Sequence, residues 1–194
     1  MMYYFASMNT LDESLMNAVK EGKLLESSRT NIRLLLDGTK SPIAREAVEE
    51  LAAAGEWQEL NDRFYKTLAF GTGGLRGRTI GSIVTRAEQG NGGVNGRPEY
   101  PCVGTACMNY FNVGRAMRGL IIYVNKHVEV TDPGRKPRLV IGHDTRHFSR
   151  DFAEFCAKIG TDLGCDIYLF DSPRATPETV SYTHLRAHET RHDL

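Results

Sequence analysis

The segment 138–170 constrains the fold more than any other part of the sequence, because a short apolar run, a polar loop, an amphipathic stretch and a second apolar run follow one another there with almost no spare residues. Leu139-Val140-Ile141 suits a buried strand, and Ile167-Tyr168-Leu169-Phe170 suits another. Between them Phe152, Phe155, Cys156, Ile159 and Leu163 form one helical stripe, with Ser149 as its cap and Gly164 as its stop. Strand, helix and strand in that order read as a β-loop-α-β unit, so the fold class is α/β. The loop Gly142-His143-Asp144-Thr145-Arg146 then lies at the carboxyl end of the first strand, where open α/β sheets bind ligands.

Upstream, Val113, Ala116, Met117, Leu120, Ile121 and Val124 predict a helix that packs on the sheet. Ser41-Pro42 starts another, with Ile43, Ala47, Val48 and Leu51 on one face, and Leu60, Phe64 and Leu68 mark a further amphipathic stretch after Gly55. Residues 1–40 read as a partly helical extension carrying no visible chemistry, with Leu11, Leu15 and Val19 on a short helix and Asp37-Gly38 as a stop. A short strand is expected over 80–85. Residues 86–108, rich in Gly, Asn and Pro and without hydrophobic period, read as a long surface insertion.

At 194 residues the chain supports one domain plus appendages, and 41% hydrophobic with 25% charged residues excludes wholesale disorder. Lys+Arg and Asp+Glu are both 24, so no global field favours nucleic acid or an anionic membrane, and any anion site must be local. The first residues lack a basic leader, and no apolar run approaches the ~18 residues of a membrane span, so a cytoplasmic location is expected. Cys102, Cys107, Cys156 and Cys165 lack metal-knuckle spacing and read as reduced thiols.

Two motifs carry chemistry. In Phe70-Gly71-Thr72-Gly73-Gly74-Leu75-Arg76-Gly77 the glycines free the backbone to turn its amides onto an anion, while Thr72 and Arg76 add donors. The same residues also suit a tight helix-to-strand connection with an exposed arginine. Neither a dinucleotide fingerprint nor a P-loop fits the spacing. In Asp144-Thr145-Arg146, Arg146 can grip a phosphate bidentately, or Asp144 and Arg146 can brace the loop; bracing is preferred for Asp144. His143 and His147 straddle strand and loop without sharing a face and read as unligated.

The ordered pair of motifs, with Val140-Ile141-Gly142-His143-Asp144-Thr145-Arg146 followed by Phe148-Ser149 and Phe152-Ala153, resembles the first domain of the α-D-phosphohexomutase family, in its phosphoglucomutase and phosphopentomutase branch. The resemblance covers roughly residues 41–180, including the turn at Ala175-Thr176-Pro177-Glu178. It implies a layered α/β/α domain I, incomplete at its carboxyl end, belonging to an enzyme of four domains. It further implies an intramolecular phosphotransferase in which a phosphoserine donates its phosphoryl group to a sugar monophosphate and recovers the other phosphoryl group from the bisphosphate. Magnesium held by an aspartate loop of domain two assists the transfer, and Mg2+ and a sugar bisphosphate are cofactors of the full-length family that this chain is not expected to bind alone. The substrate-binding candidates are Arg76, Thr72, Gly73 and Arg146: Arg76 matches the arginine that lines the family's active site, and Arg146 matches a second motif arginine. Glucose 1-phosphate and glucose 6-phosphate are the expected substrate pair, with ribose and mannose phosphates as alternatives; a non-catalytic anion-binding domain is the reading from another class.

The sequence also departs from the family. The Thr-Ala-Ser-His-Asn-Pro loop with the nucleophile has no counterpart here, so no catalytic residue is assigned, inactivity of the chain alone is expected, and its partners are a sugar phosphate and the missing carboxyl-terminal domains of the same enzyme, with neither nucleic acid nor membrane. Residues 181–194 read as an unrelated tail. Its His184, His188 and His192 fall on neighbouring helical turns, a weak metal site without supporting residues.

Overall fold

The computed structural model describes residues 2–71 and 74–175. Thr72, Gly73, the turn beyond Ala175 and the whole 181–194 tail therefore lie outside the described residues. The chain divides into two compact units, Met1–Asn112 and Val113–Leu194.

The first unit is helical: α1 (Met2–Lys20), α2 (Glu26–Gly38), α3 (Pro42–Ala53), α4 (Trp57–Phe64) and the short α5 (Arg86–Gln89). Pro42 opens α3, where its missing N–H costs nothing, although the Ser41 side chain makes no capping bond. Leu11, Leu15, Ile32, Leu35, Ala47, Val48, Leu51, Leu60 and Phe64 form one buried cluster, so residues 1–40, set apart in the sequence reading, share a core with α3 and α4. Leu68 is buried but lies beyond the end of α4. The backbone there turns away from helix, because Leu68 N–H donates to the Thr105 carbonyl at 2.7 Å and Thr105 Oγ1 donates to the Lys66 carbonyl at 2.8 Å.

Two expectations for this unit are corrected. Residues 80–85 form no strand; the carbonyls of Thr79 and Ile83 accept from the Cys102 amide and the Arg63 side chain instead of from a neighbouring strand. Residues 86–108 are not a surface insertion. They contain α5 and a 3-10 turn at Val94–Gly96, and they bury Glu88, Cys102, Val103, Thr105 and Cys107. The segment has no hydrophobic period because its backbone is irregular and is satisfied one group at a time. Asn109 Nδ2 donates to the carbonyls of Cys102 and Gly104, and Asn112 Nδ2 to those of Thr105 and Cys107.

The second unit contains α6 (Tyr110–Thr131, whose first residues belong to the first unit), β1 (Arg138–Ile141), α7 (Ser149–Asp162) and β2 (Asp166–Leu169). The strands pair in parallel, with Arg138 opposite Asp166 and Ile141 opposite Leu169, as the β-loop-α-β reading requires. Met117, Ile121, Ile159 and Cys165 form its core, with Leu139, Ile141, Phe155 and Ile167 packed against them. Helix and strand approach closely at Gly160, where any β-carbon would overlap the Ile167 side chain. Gly164, at φ 87°, ends the crossover.

The second unit also brings differences of detail. Leu120 and Leu163 are exposed at 47% and 40%, so the inner stripes are narrower than expected, and both strands are half-buried rather than buried. Ser149 does not cap α7; its hydroxyl accepts the Asp144 amide at 3.1 Å, and Phe148 occupies the cap position with φ 65°. Among the described residues no helix is long and apolar enough to cross a membrane.

Candidate functional site

The glycine-rich loop is described on either side of residues 72 and 73. Gly71 and Gly74 exchange backbone hydrogen bonds of 3.0 and 3.2 Å, and Gly74 takes φ 132°, where a side chain would be strained. The foot of the loop is clamped on both sides by the segment that follows α5. Leu68 pairs with Thr105 before it; Met108 N–H donates to the Arg78 carbonyl at 3.0 Å after it. Gly77 is pressed so close to Ala106 that a β-carbon would come within 2.9 Å of its carbonyl oxygen. On this clamped base Arg76 is exposed, and among the described residues it forms no hydrogen bond or ion pair. Its neighbour Arg78 is committed elsewhere, to Ser82 Oγ at 2.8 Å and Glu59 Oε2 at 3.3 Å.

Beneath the clamp lies an ion network that the sequence reading missed. Arg63 is fully buried; its Nε donates to Glu59 Oε1 at 2.7 Å, its Nη1 to Glu88 and to the Val103 carbonyl, and its Nη2 to the Ile83 carbonyl. Burial works against the guanidinium's charge, but Cys102, Glu88 and Glu59 outweigh it and hold the group above its ordinary value. Glu88 in turn accepts the Val103 amide at 2.7 Å and closes a capping box with Thr85. The signals were present: Thr85-x-x-Glu88 is a capping-box pattern, and Arg63 falls on the same helical face as Leu60 and Phe64, with Glu59 one turn earlier.

In the second unit the loop after β1 is braced as expected for Asp144. Its carboxylate accepts the Arg146 amide at 3.0 Å and Arg146 Nε at 2.7 Å. Burial is the largest single influence and pushes the Asp144 carboxyl up, but the hydrogen bonds from Arg146 and Ser149 and the Arg146 charge together prevail, so it lies below its usual value. Arg146 thus spends one face of its guanidinium inside the loop and remains exposed. His143 is buried and His147 exposed, so the two do not share a site. Among the described residues no group of three or more His, Cys, Asp or Glu is gathered to hold a metal. Of the four substrate-binding candidates, Arg76 and Arg146 lie in different units, each on a loop fixed by its own neighbours.

Comparison with known proteins adds the following. The sequence model described as "Phosphoglucomutase/phosphomannomutase, alpha/beta/alpha domain I" matches residues 88–189, beginning after the glycine-rich loop and including Asp144 and Arg146. The phosphoglucomutase of Staphylococcus epidermidis (strain ATCC 12228 / FDA PCI 1200) is 29% identical over 62% of this chain and 17% of its own length. That of Staphylococcus aureus (strain bovine RF122 / ET3-1) is 28% identical over 62% and 17%. The probable phosphoribomutase of Schizosaccharomyces pombe is 30% identical over 69% and 18%. The chain therefore spans less than a fifth of the length of these relatives. No solved structure matches.

Proposed function

This chain belongs to the phosphoglucomutase/phosphomannomutase family, whose α/β/α domain I it carries, and from that premise we propose that it forms part of a sugar-phosphate mutase that interconverts glucose 1-phosphate and glucose 6-phosphate through a phosphoserine and a bisphosphate. The observation that carries this reading is Arg76: an exposed guanidinium without a partner among the described residues, on a loop whose two ends are hydrogen-bonded in place. Phosphoryl transfer needs positioned positive charge more than covalent help from the protein. A guanidinium on a fixed base meets that need without reorganising at the moment of transfer. Arg146, held through Nε by Asp144, keeps donors of its own free for an anionic group. The nucleophile and the magnesium loop belong to the rest of the enzyme, and the chain alone is inactive.

In the complete enzyme carrying this domain, Arg76→Ala lowers kcat/KM by about 100-fold, the equivalent of ~3 kcal/mol of transition-state stabilisation, and leaves the melting temperature unchanged. Near-normal kinetics with a lowered melting temperature assigns Arg76 to structure and overturns the reading. A second substrate reading, ribose phosphates, is favoured by the name of the fission-yeast relative. Coupled assays of the complete enzyme with glucose 1-phosphate and ribose 1-phosphate separate the two, and the 194-residue chain alone turns over neither.

A further inference from the structure

Cys102 and Cys107 have no part in the sugar-phosphate reaction, yet they sit at the foot of the loop that carries Arg76. Both thiols are free and buried, in a segment without helix or strand between them. Cys102 Sγ donates toward Cys107 Sγ at 3.3 Å. A disulfide needs about 2.05 Å, so the sulfurs must close by little more than 1 Å, a movement that side-chain rotation in an irregular segment containing Gly104 can supply. The neighbourhood also distinguishes the two sulfurs. The hydrogen bond from Cys102 favours the charged form of Cys107; burial opposes it, and the Arg63 and Arg78 guanidinium groups reinforce it, so Cys107 lies below the ordinary thiol value. The same hydrogen bond, then burial, hold Cys102 well above it. The other cysteines are less reactive by the same logic: burial pushes Cys156 up to about 11 and raises Cys165.

We propose that Cys102 and Cys107 form a reversible dithiol–disulfide pair, oxidised by low-molecular-weight disulfides of the glutathione type, whose bond locks the foot of the Arg76 loop. Local opening of the irregular 102–109 segment admits the oxidant. The Cys107 thiolate attacks one sulfur of the small disulfide; that S–S bond breaks, a new one forms to Cys107, and a thiolate leaves. Cys102 then gives up its proton to the departed thiolate and attacks the Cys107 sulfur, releasing the second small thiol. Two protein thiols are oxidised and one small disulfide is reduced to two thiols. The bond reaches the Arg76 loop through three backbone contacts: Cys102 N–H to the Thr79 carbonyl at 2.8 Å, Met108 N–H to that of Arg78 and Leu68 N–H to that of Thr105. All three join the loop foot to the 102–108 segment, which the new bond would tie across.

The test uses the 194-residue chain with oxidised glutathione, followed by thiol alkylation, intact mass and peptide mapping. The expected product has Cys102 linked to Cys107, keeps Cys156 and Cys165 alkylated, and returns to its starting mass with reductant. Cys102→Ser should trap glutathione on Cys107, whereas Cys107→Ser should leave Cys102 unmodified. Four alkylated cysteines in the wild-type chain, glutathione retained on Cys107, or first reaction at Cys156 or Cys165 each overturn the proposal. Hydrogen exchange at the Leu68 and Met108 amides should slow about tenfold on oxidation, and unchanged exchange with the bond formed overturns the locking role.

Discussion

Arg63 and His143 are both buried polar side chains at the foot of a candidate loop, one in each unit, and they are served very differently. Arg63 finds two carboxylates and two carbonyls. His143, 6% exposed, has only a 3.4 Å contact from Nδ1 to the Asp144 carbonyl, and its Nε2 has no partner among the described residues. The surroundings follow the same division. The first unit buries many side chains to near-zero exposure, while no residue of β1 or β2 is fully buried. Parallel sheets are normally covered on both faces, and here Leu139, Ile141 and Ile167 pack against the core while Tyr168, between Ile167 and Leu169, is exposed. The first unit seals its loop foot with a buried ion network, although Ser28 Oγ and Asn112 Oδ1 have no partner among the described residues; the described part of the second unit leaves its strands half-buried and His143 Nε2 unmet.

The sharpest way to break this comparison is to remove a member of the buried network. Glu88→Ala strips the buried Arg63 of one of its two carboxylates and the Val103 amide of its acceptor, and should cost about 3–5 kcal/mol, read by urea unfolding followed through amides of the first unit. A loss below ~1 kcal/mol would mean that water reaches Arg63 and that the first unit is no better sealed than the second. Next in size, Leu51→Ala should cost about 2–5 kcal/mol, whereas Ile141→Ala, at a half-buried position, should cost about 1 kcal/mol; equal losses would erase the distinction between the cores.

A smaller effect concerns Asp144. Because its folded value is depressed, its contribution to stability is present above the ordinary carboxylate value near ~3.9 and is lost as pH falls through the lower folded value. The carboxyl is partly exposed, so solvent screens the effect. A carboxyl titration by NMR should place the Asp144 midpoint below that of an Arg146→Ala variant; coincident midpoints would remove the bracing role. The smallest effect is at Leu120, where Leu120→Ser should change stability by less than ~0.5 kcal/mol despite the helical stripe to which its spacing assigns it.

The elements readable from sequence are those in which one periodic pattern decides the outcome. Leu139-Val140-Ile141, the stripe through Phe152 and Ile159, and the stop at Gly164 define the crossover, because a parallel pair needs a connection long enough to hold a helix. Pro42 marks the start of α3 for an equally local reason. Segments whose burial is arranged atom by atom escape such reading. Thr105, Asn109 and Asn112 are buried because their side chains replace the backbone partners that a helix or strand would supply, and polar residues of that kind look like surface loop in a sequence. Arg63 was hidden for a related reason: an arginine on an apolar stripe reads as a solvated interruption until Glu88, 25 residues away, is known to meet it. At the candidate site, Arg76 was recognisable from its motif, while the clamp that holds its loop was not, since Thr105 and Met108 carry no pattern.

The reach of Arg63 along the chain also orders events in time. Its contacts to Glu88 and to the Val103 carbonyl span 25 and 40 residues, whereas its bond to Glu59 lies within one helical turn. α4 can therefore form with Arg63 still hydrated, and the guanidinium loses its water only when the 83–103 segment arrives and closes over it. Such late contacts are weakly developed in a folding transition state, so losing Glu88 speeds unfolding far more than it slows folding. The foot of the Arg76 loop is thus expected to close only after α4 has formed.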